Sequence, residues 1–195
     1  LSIYTPSNYI LPSRMEKYAD LNHEGKNSLT QVGREQGIRR LMSINLLKRL
    51  ESSVHSFRLT LKRIQNLLCS TLDTIAHYDP SLTLELNDLT STVDFDADDQ
   101  EMDLFTVGKK VKIALEDMDY VTWQHDLEED FNTLYVLVNM VADITPEHDS
   151  KLQMLLSTIS EKIDTPINPN NRKVIIFTAF SDTAEYLYDH VSAFA

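Results

Sequence analysis

Leu46-Leu47-Lys48-Arg49-Leu50-Glu51-Ser52-Ser53-Val54-His55-Ser56-Phe57-Arg58 opens the strongest helical pattern in the chain. Leu47, Leu50, Val54, Phe57, Leu61, Ile64, Leu68 and Ile75 recur in alternating steps of three and four, and Thr71 alone interrupts the stripe before Ile75. That is the spacing of one face of a helix packed against another. Ser28 with Gln31 reads as a capping box at its start, Gly33 and Gly37 weaken the first turns, and Tyr78-Asp79-Pro80 ends it. Unbroken from Arg34 to Tyr78, the helix would run about 65 Å at ~1.5 Å per residue.

Working outward, the pattern remains helical with one interruption. Residues 80–99 are rich in Asp, Thr and Ser and read as a mobile acidic loop. Within it Asp94-x-Asp96-x-Asp98 opens like a calcium loop, but Asp99 stands where the turn needs glycine and Phe105 where a bidentate Glu belongs, so no metal is expected. Asp98 with Glu101 reads instead as the cap of a helix carrying Leu104, Val107, Val111, Leu115 and Met118 on one face. A further helix starts near Thr122 and buries Leu127, Phe131, Leu134, Val138 and Val141. Thr145-Pro146-Glu147 reads as N-cap, first-turn proline and favourable acid, opening a helix through Ile163 with Leu152, Leu155, Leu156, Ile159 and Ile163 inside. After Pro166 and Pro169, Val174-Ile175-Ile176-Phe177 suits a strand covered on both faces. Ser181 or Asp182 can cap a last helix with Ala184, Leu187 and Val191 on one side.

Composition limits the function. The chain has 195 residues, 42% of them hydrophobic, which suffices for a real core. No apolar run approaches the roughly 18 residues of a membrane span, and no signal peptide is evident, so a cytoplasmic protein with no membrane partner is expected. A single cysteine, Cys69, excludes an internal disulfide. The net charge of -12 is uneven: between Arg34 and Arg63 eight basic residues face two acids, whereas nine acids and no Lys or Arg lie between Asp79 and Asp103. Gly25-Lys26 lacks the glycine and the Ser or Thr of a phosphate-cradling loop, and no Asp-Glu dipeptide exists to hold magnesium. The six histidines include no His-x-x-x-His pair, and His125 beside Asp126 reads as a surface pair. No catalytic residue, cofactor or metal site is therefore assigned, and the chain by itself is expected not to hydrolyse ATP.

Four stretches carry a family resemblance. Arg172-Lys173-Val174-Ile175-Ile176-Phe177-Thr178-Ala179-Phe180-Ser181-Asp182-Thr183-Ala184-Glu185-Tyr186-Leu187 resembles motif IV, which opens the second RecA-like lobe of superfamily 2 helicases and Swi/Snf-type translocases. Asp149-x-Lys151-Leu152-x-x-Leu155-Leu156 is similar to the helix before that strand, and Leu46 to Arg58 is similar to a segment between the two lobes of bacterial Swi/Snf-like helicases. Tyr9-Ile10-Leu11-Pro12 with Tyr18 is similar to the exit from the first lobe.

The resemblance implies a mainly α fragment of a larger motor: a helical bundle or helical hairpin domain, with a C-terminal β-strand and helix belonging to an incomplete RecA-like lobe. Residues 1–27 would be the exit segment of the first lobe, 28–163 the helical domain, and 164–195 the linker and opening strand and helix of the second lobe. It implies an ATP-dependent DNA helicase or translocase as parent, with ATP and magnesium bound elsewhere in that parent and the remaining lobes as partners in cis. Candidate contacts to the DNA backbone are Lys48, Arg49, Arg58, Lys62 and Arg63 on the long helix, with Thr178 and Ser181 at motif IV. Those cations also suit a plain bundle helix with solvated Lys and Arg, and Thr178 and Ser181 suit strand packing and helix capping. The competing expectation is an acidic helical scaffold for a protein partner, without a nucleic-acid role.

Overall fold

The computed structural model describes residues 1–22, 31–78 and 113–194. They are mainly helical. Five α-helices appear among them: α1 (Gln31–Ser52), α2 (Val54–Ala76), α3 (Tyr120–Ala142), α4 (Ser150–Asp164) and α5 (Ser181–Phe194). Short 3-10 stretches cover Ser2–Tyr4, Pro6–Tyr9, Pro12–Asn22, Leu115–Asp117 and Pro146–His148. None of the described helices is long and apolar enough to cross a membrane.

The core forms where α2 lies along α3. Ile64, Leu68 and Leu127 are fully buried, with Leu61 and Trp123 beside them, and the N-terminal turn adds Ile3 and Tyr4. Each such side chain contributes about 1.5–3 kcal/mol of burial. The expected stripe on α3 is seen in Leu127, Leu134 and Val138, buried, and in Phe131 and Val141, packed at the margin. Thr71 sits in the α2 stripe with no accessible surface, because its hydroxyl donates to the Leu67 carbonyl at 2.8 Å. A hydroxyl satisfied within its own helix can be buried.

The structure corrects the sequence reading in several places. The single helix from Arg34 to Tyr78 is two helices, broken at Ser53, whose φ of -157° and ψ of 149° are extended. Ser53 Oγ accepts the Ser56 amide at 3.0 Å, so the serine serves as N-cap of α2 instead of continuing α1. The apolar stripe divides there too. Leu61, Ile64, Leu68 and Ile75 are buried, while Leu47 and Leu50 are exposed and α1 buries Glu35, Met42, Asn45 and Arg49. Glu35 is satisfied by the amide and hydroxyl of Ser7, at 3.2 and 2.5 Å.

The expected C-terminal strand is absent among the described residues. Val174 to Phe177 pair with no neighbour there, and the only bridges recorded are Ile10 with Met118 and Asn168 with Asn171. A strand requires a partner for its amides and carbonyls, and no described segment supplies one. The four side chains are accordingly 38 to 90% exposed. On α5 the buried face is Asp182, Thr183 and Tyr186; Ala184 is exposed, and Leu187 and Val191 are half-buried. Its polar face is the one that finds partners.

Other starts shift by short distances. Asp119 caps α3 by accepting the Thr122 amide at 3.1 Å, and Asp149 caps α4 through the amides of Lys151 and Leu152. Thr145-Pro146-Glu147 opens only a 3-10 turn before it. Leu115 and Met118 are buried, Leu115 in a 3-10 turn and Met118 at a β-bridge, rather than on a helix. Ser28, the acidic loop near 80–99, the Asp94-x-Asp96-x-Asp98 run, the Asp98 cap and Leu104, Val107 and Val111 lie outside the described residues.

Candidate functional site: a polar joint at the α1–α2 break

Ser53 is the one residue between α1 and α2, and the first turn of α5 rests on it. Thr183 Oγ1 lies 2.9 Å from Ser52 Oγ and 3.2 Å from Ser53 Oγ. Small side chains at 52 and 53 allow that approach, and their hydroxyls supply the bonding. Lys151, in the first turn of α4, donates to the carbonyls of Glu51 and Ser52, which α1 leaves unpaired at its end.

An ion pair sits beneath these contacts. Arg49 is 3% exposed; its Nη1 reaches Asp182 Oδ2 at 2.9 Å and Ser56 Oγ at 3.1 Å, and its Nε donates to Asn45 Oδ1 at 3.0 Å. The guanidinium carbon stands 4.7 Å from the Phe180 ring centroid. Arg63, more exposed, approaches the same carboxylate at 3.4 and 3.5 Å. Removing a charge from water costs several kcal/mol, and only a well-bonded partner offsets it. Arg49 meets that requirement with two neutral acceptors, a carboxylate and an aromatic face.

Tyr186 extends the joint toward α4. Its hydroxyl donates to Asp149 Oδ2 at 3.1 Å, and its ring stacks on His55 at 4.7 Å and lies tilted against His190 at 4.5 Å. Burial, then the Asp149 carboxylate, pushes the Tyr186 phenol up to about 12. Burial also lowers the His55 pKa, assisted by nearby Arg58 and opposed by Asp182 and Asp189. A cleft of about 330 Å³ opens beside the joint, lined in part by Ser52, Ser53, Lys151, Phe177 and Thr178.

A second polar cluster holds the N-terminal segment. Asp117, 1% exposed, accepts from Lys17 Nζ at 2.5 Å and Tyr18 Oη at 2.6 Å, with Arg14 Nε at 3.4 Å. Burial pushes the Asp117 carboxyl up, but the bonds from Lys17 and Tyr18 outweigh it and hold the pKa below its usual value. The same bond raises Lys17. A depressed carboxylate contributes stability above its unfolded pKa and loses it as pH falls through the folded one; the raised lysine loses its share as pH climbs through its own folded value. Asp117→Asn should therefore melt below the wild type at neutral pH, with the gap closing below about pH 4. Melting curves at several pH values test this, and a gap independent of pH would mean that Asp117 is not ionised in the fold.

The predicted site residues separate into groups. Arg49 and Arg63 converge on Asp182, so both are engaged inside the chain. Thr178 Oγ1 accepts the Phe180 amide at 3.3 Å, and Ser181 begins α5, which places both at the joint. Arg58 is half-buried, with Nη1 3.5 Å from the Ala142 carbonyl at the end of α3. Lys48 and Lys62 are exposed on the helix surfaces. His125 and Asp126 form the expected surface pair at 3.6 Å. With Glu129 they make an acidic group of metal-binding size, but Asp126 already accepts the Tyr9 hydroxyl at 2.6 Å.

Asp182 and Thr183 are the residues whose roles the sequence reading missed. A signal existed: two consecutive serines inside an apolar helix pattern that contains no glycine or proline. Comparison with protein-family models, curated proteins and solved structures finds no match for this chain.

Proposed function

We propose that this chain is the helical coupling part of a nucleic-acid motor of superfamily 2, of the bacterial Swi/Snf-like type. The observation that carries the reading is the position of the segment similar to motif IV. Its polar turn, Thr178 to Asp182, is anchored on the α1–α2 break, so the element that would open a second motor lobe is tied to the helical unit. The exposed apolar run Val174 to Phe177 supports the same reading, since such a run needs sheet neighbours. In such a motor, ATP binding closes the lobes and hydrolysis reopens them; ATP and magnesium belong to other parts of the parent protein. This chain transmits the lobe movement, and Lys48, Lys62 and Arg58 contact the DNA backbone. Arg49 and Arg63 act through Asp182.

The test is made in the parent protein with Lys48→Ala and Lys62→Ala combined. DNA-stimulated ATPase should fall, and the slope of log affinity against log salt should flatten by roughly 0.9 for each lost phosphate contact. Basal ATP binding should not change. Unaltered stimulation would sink the backbone contact and favour the second reading, an acidic scaffold for a protein partner. That alternative has its own support in the net charge of -12 and in Val121, Val136 and Met140, exposed on α3.

A further inference from the structure

We propose that the break at Ser53 is conditional: docking of α5 and α4 keeps α1 and α2 apart, and without it they join into one continuous helix. The inference concerns the described residues alone and does not depend on the motor reading.

The sequence across the break does not call for one. Residues 46–58 contain neither glycine nor proline, and Leu47, Leu50, Val54, Phe57 and Leu61 keep helical spacing straight through Ser53. Only Ser53 leaves helical geometry; the Ser53 amide still bonds the Arg49 carbonyl at 2.9 Å, and the Phe57 amide bonds the Ser53 carbonyl at 3.1 Å. One residue's dihedrals therefore separate the bent form from the straight one. Besides the Ser53 cap, the burial of Met42 and the Glu35–Ser7 bonds, the bend is held by α4 and α5. Lys151 of α4 takes the carbonyls of Glu51 and Ser52, Thr183 of α5 takes the two serine hydroxyls, and Asp182 of α5 binds Arg49 of α1 together with Arg63 of α2. Those carbonyls would otherwise turn to amides of the following turn, as in any continuing helix. Asp182, bonded to a cation on each side of the break, is the positioning residue. The angle between α1 and α2 thus reports whether α5 is docked.

The experiment uses the full chain with spin labels on the native Cys69, which is exposed on α2, and on Arg39→Cys, exposed on α1. A straight helix places these sites about 45 Å apart at ~1.5 Å per residue, and a bent one brings them nearer. The docked protein should give the short distance. Asp182→Lys, which sets a cation against two guanidiniums, should release α5 and shift the population to about 45 Å, with faster amide exchange at 183–186. Lys151→Met with Thr183→Val changes no buried charge and should populate both distances. Trp123 fluorescence verifies that the α2–α3 core is intact in each variant. An unchanged short distance in either variant overturns the proposal. So does continued protection of 183–186 in Asp182→Lys, because Asp182 would then not be what holds α5.

Discussion

Arg49→Met is expected to cost about 3–5 kcal/mol of folding stability, because it leaves the buried Asp182 carboxylate without its close partner. Arg63→Met should cost within about 1 kcal/mol, since that guanidinium is 38% exposed and stands 3.4 Å or more from Asp182. Urea unfolding of the three proteins decides between them, provided the denaturant slopes agree. The double variant Arg49→Met with Asp182→Leu should recover most of the loss, as buried pairs replaced by apolar residues of similar size often do. A loss below about 1 kcal/mol for Arg49→Met would mean that water reaches Asp182 and that the joint is looser than its geometry implies.

Trp123→Ala should be equally costly, about 3–5 kcal/mol, for a different reason. The indole is 1% exposed, and its Nε1 donates to the Ser2 carbonyl at 3.4 Å. Tyr9 lies tilted against it with centroids 6.2 Å apart. Removal opens a cavity between α3 and the N-terminal turn, where the Ser2 hydroxyl also bonds Asp130 at 2.8 Å. The loss should therefore appear in the melting curve by circular dichroism and as protease sensitivity of residues 1–22. Trp123→Phe should retain more than half of the lost stability. A cost under about 1 kcal/mol for Trp123→Ala would show that the N-terminal turn is not part of the core.

Apolar spacing predicted α2, α3 and α4, because each packs an apolar face and helical periodicity records that directly. Leu127, Leu134 and Val138 were legible for this reason. Arg49 was not. A cation on an amphipathic helix reads as solvated until its counter-ion is located, and Asp182 lies 133 positions away. The Ser53 break was hidden for the converse reason: Leu47, Leu50, Val54 and Phe57 keep helical spacing through it, while Lys151 and Thr183, which meet it, lie on α4 and α5. Val174 to Phe177 have the composition of a buried strand, yet pairing belongs to two segments and a single segment's composition cannot supply it. The backbone contacts proposed for Lys48 and Lys62 rest on charge and exposure, which a sequence conveys in part, whereas the grouping of Arg49 with Arg63 required the fold.

The N-terminal segment sets an order on the protein's own synthesis. Ser2 is held by Asp130 and Tyr18 by Asp117, contacts that close loops of 128 and 99 residues. At about 5–20 residues per second, the ribosome needs roughly 6–25 s to deliver Asp130 after Ser2 has been made. Ser2 and Tyr18 are therefore made well before Asp130 and Asp117, the carboxylates that hold them. Until Asp117 is made neither bond can form, and of the α-helices of the described core Ile3 and Tyr4 have only α1 and α2 to meet.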